Sequence, residues 1–358
     1  MGLIELTLRN FRPFEELHFK PDPEAISVLL SPNGTGKTSV LEAVHLLATA
    51  SSFRTTSASD VIKKESDLAE VHGVAIVNTR RVSVDLTVAR NTRGATKRML
   101  VNGQKPRSRM DLAEALPLTV FTPEGVDVVR QGPEHRRDLI TLQMTDLNPV
   151  LAETVEKYNK VLTQRNALLR SFEGSWPTNQ QQEELSTWES ELVFYGESLV
   201  ASRVGFLKQI QPLVEDLYRN LSHDESRVNL VYERSWTGNL SDAFRGSLRS
   251  DVARGYTTIG PHRDDISLVL DGRDARRQAS QGEQRSLALA WRLGSHQLIK
   301  SVRNTEPLLL LDDVFSELDP LRSQRLLTLL PTGQTLVTTA SPLPIGMTPA
   351  LIVDLRAN

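Results

Sequence analysis

Apolar and polar side chains alternate along the N-terminal third of the chain with the period of strands. Residues 3–9 alternate, and residues 14–20 follow as a further strand beyond a Pro-containing turn. The short apolar run 26–30 has the pattern of a strand covered on both faces. A helix is expected from Gly36 to about Ala48, where Val40, Leu41, Val44 and Leu47 fall on one stripe. Residues 71–77 and 81–90 read as paired strands. Another strand ends at residues 100–101, before the turn-forming pair Asn102-Gly103.

The middle of the chain changes period. Asn148-Pro149 is an N-cap followed by proline at the first helical position, and Leu151, Val155, Tyr158, Leu162, Leu168 and Leu169 follow at helical spacing. A polar break at residues 173–179 separates this helix from a second one over about 182–221. The two suggest an antiparallel hairpin whose first helix is only about 33 Å long, a stub and not an extended coiled coil. Residues 256–270 return to strand-like sequence. A helix from about Gln281, the leucine run 308–311 and a closing helix–strand alternation complete the chain.

The 358 residues suggest roughly two domains, enough to bury a core without disulfides, and there is no cysteine. This excludes thiol nucleophiles and zinc knuckles and points to a reducing compartment. No apolar run approaches the ~18 residues of a membrane helix, so a soluble, cytoplasmic protein without a membrane partner is expected. The net charge of −2 names no partner, so a nucleic-acid surface must be a local patch. One candidate runs from Arg80 to Arg109, where Arg80, Arg81, Arg90, Arg93, Lys97, Arg98, Lys105, Arg107 and Arg109 face the single acid Asp85. It reads either as a solvated hairpin or as a phosphate-contacting surface.

Three segments carry chemistry. The first is Ser31-Pro32-Asn33-Gly34-Thr35-Gly36-Lys37-Thr38-Ser39, which lies between an expected strand and an expected helix. That is the context of a phosphate-binding loop: glycines let backbone N–H groups close on phosphates, and the helix N-terminus adds positive charge. Lys37 would reach the β/γ-phosphates and the Thr38 hydroxyl would ligate Mg²⁺. In the second, the leucine strand delivers Asp312 to its end to hold the metal, with Asp313 beside it to orient or deprotonate water. In the third, Ser280-Gln281-Gly282-Glu283 opens a helix, with Ser280 as N-cap and Gly282 permitting close approach, so this start is a second anion site.

This order of motifs, closed by Ser316-Glu317-Leu318-Asp319, resembles ABC-type ATPase heads of the SMC/Rad50-like kind and, more closely, the RecF family. Residues 8–12 (Leu-Arg-Asn-Phe-Arg), 52–55 (Ser-Phe-Arg-Thr), 132–137 (Gly-Pro-Glu-His-Arg-Arg) and 260–265 (Gly-Pro-His-Arg-Asp-Asp) extend the resemblance over essentially the whole chain. It implies an α/β head with a mixed-sheet lobe I (1–122 and 301–358) and a largely helical lobe II (123–300) bearing the hairpin. It further implies an ATP-induced homodimer, each nucleotide lying between one copy's Lys37 loop and the other's Ser280 segment, with Asp319 signalling across the dimer. Arg12 resembles a phosphate- or adenine-contacting arginine, and Arg54 a basic residue near the nucleotide. The implied function is an ATP- and Mg²⁺-dependent, slow DNA-stimulated ATPase. Such a dimer binds duplex DNA at single-/double-strand junctions and loads recombinase through a RecR-type mediator, with Arg80, Arg81, Arg90, Arg93, Lys97 and Arg98 as the candidate DNA surface.

Four departures from the pattern point to slow, regulated turnover. Ser31 stands for glycine, Glu283 for glycine or glutamine, Asp313 for glutamate, and Thr338 or Thr339 for a switch histidine. A transporter subunit would need a membrane partner, and a Rad50/SMC head would need long arms. An ATP-sensing structural head without recombinase loading is the alternative function. His262 with Arg263, Asp264 and Asp265 reads as a structural turn and not a metal site, and the four tryptophans read as core anchors.

Overall fold

Strand alternation at the N-terminus builds an antiparallel sheet. The computed structural model describes residues 1–92, 94–122, 127–148, 150–222 and 225–356. In chain order it opens with β1 (Gly2–Phe11), β2 (Phe14–Phe19), β3 (Ile26–Leu30), α1 (Lys37–Thr49), β4 (Leu68–Val77), β5 (Arg80–Asn91) and β6 (Gly94–Val101). The strands β2-β1-β4-β5-β6 form that sheet in this order. α2 (Arg109–Ala115) and β7 (Leu118–Phe121) follow.

The chain divides into two units: Met1–Gly125 with Leu217–His223 and Leu289–Asn358, and Val126–Asp216 with Asp224–Ala288. The division thus falls between Ala288 and Leu289, and residues 217–223 belong to the first unit.

The second unit contains α3 (Asp127–Arg130), α4 (Pro133–Leu147), α5 (Val150–Ser171), most of α6 (Asn179–Ser222), β8 (Val228–Glu233), α7 (Leu240–Arg254), β9 (Asp265–Leu270), β10 (Arg273–Asp274) and α8 (Ala275–Gln278). Helices α5 and α6 run antiparallel. Tyr158 lies against Gly196, Arg165 pairs with Glu189 at 2.8 Å, and Leu169 packs with Leu185, so positions rise along one helix as they fall along the other. α6 has 44 residues, twice the 22 of α5, so the hairpin is asymmetric.

Three expectations change here. Residues 256–264 form no strand and only Asp265–Leu270 does, in a three-stranded sheet β10-β9-β8. That loop is held by side chains instead: Thr258 N and Oγ1 donate to Asp251, and Thr257 N donates to Asn166. Helix α7, absent from the sequence reading, carries legible signals: Asn239 caps it by accepting from Asp242 N, and Gly255 ends it with φ 69°. Of the tryptophans, Trp291 is a core anchor, whereas Trp176 is 58% exposed in the α5–α6 loop. The helix start at Asn148-Pro149 includes Pro149, which lies outside the described residues; α5 is described from Val150.

α9 (Gln281–Arg303), β11 (Leu308–Asp312), α10 (Pro320–Leu329), β12 (Thr335–Thr339) and β13 (Leu351–Val353) complete the chain. The second sheet of the first unit has the order β13-β3-β12-β11-β7, every pairing parallel. All residues of β11 and β12 are buried, as parallel strands covered on both faces require. Helix α1 shares one core with both sheets: Leu41, Val44 and Leu47 pack with Leu3, Val71 and Leu86 of the antiparallel sheet and with Leu29, Leu310 and Leu336 of the parallel one. Burying each such leucine contributes about 1.5–3 kcal/mol, which fixes α1 and the loop before it against the carboxyl ends of β3, β11 and β12.

Candidate nucleotide site

The loop between β3 and α1 is shaped by Gly36. Its φ is 98°, and a Cβ there would lie 2.6 Å from Phe14 Cζ and 2.8 Å from Pro13 Cγ, so both conformation and space demand glycine. Lys37 follows, buried, with its Nζ donating to Ser31 O at 2.6 Å and Pro32 O at 2.8 Å. Burial lowers the Lys37 pKa, while nearby Asp313 and Asp312 oppose that shift. Thr35 Oγ1 closes the loop onto Pro32 O at 2.9 Å. Ser31 replaces glycine without strain, because it is not among the residues of positive φ. Its hydroxyl donates to Asp354 Oδ1 at 2.7 Å and accepts from Leu355 N at 2.8 Å, tying the loop to the chain beyond β13.

Across the loop stand the two acids from the end of β11. Asp312 Oδ1 accepts from Thr38 Oγ1 at 2.9 Å and from Thr338 Oγ1 at 2.6 Å. Burial raises the Asp312 pKa, which the two hydroxyls counter and the charge of Asp313 reinforces. Asp313 adopts a left-handed backbone with φ 49°, its N–H donating to both O and Oγ1 of Thr338 at 3.1 and 3.0 Å. Its Oδ1 is buried and has no hydrogen-bond partner. Thr338 therefore meets the acids, whereas Thr339 Oγ1 turns to Ser341 O.

Gly36, Lys37, Thr38, Asp312 and Asp313 line one cavity of about 320 Å³ together with Arg12, Pro13, Asn33, Gly34, Ser39 and Arg54. The Thr38 hydroxyl, the Asp312 carboxylate and the unpaired Asp313 oxygen are hard oxygen donors that fit Mg²⁺. Among the described residues no group of three acids or histidines could hold a metal unaided, so the fit is to an ion that shares its shell with phosphate and water.

Sequence reading missed what lies behind Arg12 and Arg54. Glu42, fully buried in the second turn of α1, accepts from Arg12 Nε at 2.8 Å and Nη2 at 2.6 Å, from Arg54 Nη1 at 3.2 Å and from Ser52 Oγ at 2.6 Å. The available signal was a lone acid among Val40, Leu41, Ala43 and Val44, because a charge on a buried stripe requires partners.

Other candidate residues sit elsewhere. Ser280, Gln281, Gly282 and Glu283 belong to the second unit and the Lys37 loop to the first. Ser280 and Glu283 form a capping box: Glu283 N donates to Ser280 Oγ at 3.2 Å, and Ser280 N to Glu283 Oε2 at 2.5 Å. That bond lowers the Glu283 pKa and gives its carboxylate a structural role at the start of α9. Asp319 caps α10, accepting from Arg322 N at 2.9 Å and Arg322 Nη1 at 2.7 Å.

The basic stretch does not form one face. Val84, Leu86 and Val88 of β5 point to the core, and Lys97 pairs with Val88 on that side. There Lys97 Nζ donates to Ala50 O, and Arg90 Nε to Ser66 O, each at 3.0 Å. Arg81 alternates to the opposite face, which Arg98 shares through its pairing with Thr87 and which also holds Asp85, bonded to His72 at 2.6 Å. Arg80 is exposed at the start of β5, and Arg93 lies outside the described residues.

The model of the RecF/RecN/SMC N terminal domain family matches residues 2–342. The DNA replication and repair protein RecF of Lachnoclostridium phytofermentans is 33% identical over 341 residues, covering 94% of this chain and 92% of the relative. The chain belongs to the RecF family. The RecF of Acidothermus cellulolyticus is likewise 33% identical, over 97% of this chain and 96% of its own. Among solved structures, the recombination mediator protein RecF-ATP of the RecFOR pathway superposes with a TM-score of 0.86 at 24% identity, over 98% of this chain and 94% of that one. An Smc head bound to the C-winged helix domain of ScpA reaches 0.55 at 16% identity, over 95% and 90%. The fold is thus the ABC-type ATPase head, and RecF family members are ATPases.

Proposed function

We propose that this RecF family chain binds ATP with Mg²⁺ at the Lys37 loop, closes into a head-to-head dimer, and in that state holds duplex DNA beside single-strand gaps during recombinational repair and replication. The hydrogen bond between Thr38 and Asp312 carries the reading, because it joins the phosphate loop to the acid strand within one cavity. The first unit is taken as the ATPase lobe I and the second as lobe II.

Backbone N–H groups at the start of α1 would receive the phosphates, and Lys37 would exchange the carbonyls of Ser31 and Pro32 for β/γ oxygens. Thr38 and Asp312 would hold Mg²⁺, whose charge neutralises phosphate oxygens. Asp313 has an acceptor oxygen free to align water, and its short side chain fits slow turnover. The Ser280 segment of a second copy would close the site over the γ-phosphate, so that hydrolysis loosens the pair. Arg81 and Arg98 would contact DNA phosphates without reading sequence. The family and the RecFOR pathway of the solved RecF-ATP protein support a RecR-type mediator as partner, recombinase loading and a cytoplasmic location. Among the described residues, no helix is long and apolar enough to cross a membrane.

Sedimentation velocity with ATP, with ADP and without nucleotide, each with and without duplex DNA, tests this. Dimers and DNA-bound dimers are expected with ATP alone; the same oligomer in all three conditions would remove the mechanism.

A further inference from the structure

Resting on the nucleotide reading of this cavity, we propose that Glu42 is a positioning residue that aims two arginines, Arg12 and Arg54, at the bound triphosphate without touching it. Both arginines line the cavity, and Glu42 lies behind them, outside its wall. The Glu42 side chain is 0% exposed, against 18% for Arg12 and 39% for Arg54, so the acid is in the interior and the guanidiniums reach the opening.

A carboxylate so deep is tolerated only when fully paired, and Glu42 is: a two-bond fork from Arg12, one bond from Arg54 and one from Ser52. One negative charge against two positive ones leaves the cluster with a single excess cation at the cavity wall, suited to an anion. The arginines enter from separate segments. Arg12 sits in the turn after β1 with φ 53°, its N–H held by Val61 O at 2.8 Å; Arg54 follows α1 and also donates to Ser39 Oγ at 3.3 Å. Among the described residues, Glu42 is the one side chain bonded to both guanidiniums, and it is anchored in the helix that begins with Lys37.

The test is an equilibrium titration of ATP at fixed Mg²⁺ on Glu42→Gln in two backgrounds, the natural chain and Arg12→Gln/Arg54→Gln, with thermal melts to confirm folding. In the natural background a loss of about tenfold is expected, the scale of one charge-assisted hydrogen bond. In the arginine-free background the same change should alter affinity by no more than about twofold, since nothing remains to position. A structural role alone would lower affinity by the same factor in both backgrounds. That result, or unchanged affinity in folded Glu42→Gln, overturns the proposal. If Glu42→Gln fails to fold, Glu42→Asp keeps the charge but withdraws it by one methylene, and the same contrast between backgrounds is read. Lys37→Ala, titrated alongside, separates the two levels. Unchanged binding there removes the nucleotide site itself, whereas a loss there with an unaffected Glu42→Gln overturns only the role of Glu42.

Discussion

Thr38 and Asp312 stand 274 residues apart in the chain and share a 2.9 Å hydrogen bond. One is the second residue of the helix that follows β3 and the other ends β11, two strands that both lie against β12 in the parallel sheet. Packing of buried strands therefore sets this polar contact, and the sheet supplies the precision that a metal and phosphate site needs.

The same sheet makes Thr338 the hydroxyl that matters. It donates to Asp312 and accepts from the Asp313 N–H, whereas the Thr339 hydroxyl bonds to Ser341 within its own turn. Thr338→Val removes a hydroxyl and leaves both acids short of a partner. ATP turnover is expected to fall about tenfold or more, with a much smaller effect for Thr339→Val, measured as phosphate release by the two variants.

Ser31 is an unusual residue for the start of such a loop, yet the more usual glycine would harm this chain. Ser31→Gly deletes the bonds to Asp354 and to the N–H of Leu355, which is 7% exposed. A destabilisation of about 1–3 kcal/mol is expected by denaturant unfolding.

Much of this site was legible from local pattern. The strand Ile26–Leu30 is mostly apolar and Leu308 to Leu311 wholly so, and the glycines of the loop mark its turn, so the loop and its facing acids could be read directly. What escaped depends on tertiary partners. Glu42 gains meaning only when residues 12, 52 and 54 converge on it. The choice between Thr338 and Thr339 depends on the register of β12 beside β11, which sets Thr338 next to Asp312 on one face of the sheet. The basic stretch looked continuous because a count of charges ignores strand alternation, which sends Lys97 and Arg98 to opposite faces.

That alternation yields a prediction for DNA. Among the described residues, the Arg81 and Arg98 side chains make no hydrogen bond or ion pair, while Arg90 and Lys97 are engaged with backbone carbonyls. Arg81→Ala/Arg98→Ala is expected to weaken duplex binding and to reduce the slope of log K against log salt by about 2. An unchanged slope would place the DNA surface elsewhere.

The Gly-Pro-His-Arg-Asp-Asp segment gives a pH prediction. His262 Nε2 donates to Thr257 O at 3.0 Å and its Nδ1 accepts from Tyr158 Oη at 2.8 Å, an arrangement complete for the neutral ring. Burial pushes its pKa down to about 4. Between pH 6.5 and 4 the unfolded chain binds a proton that the folded one refuses, so stability falls as pH falls through that window and is full above it. His262→Gln should flatten this dependence by about 3 kcal/mol, read from unfolding at pH 4 and pH 7.

The most direct test of the site is ATP affinity measured with and without Mg²⁺ for the natural chain and for Asp312→Asn. Mg²⁺ should tighten binding to the natural chain, and Asp312→Asn should lose most of that gain while still folding. An equal gain in both proteins would contradict the pairing of Thr38 and Asp312 as the metal-holding element of a nucleotide site.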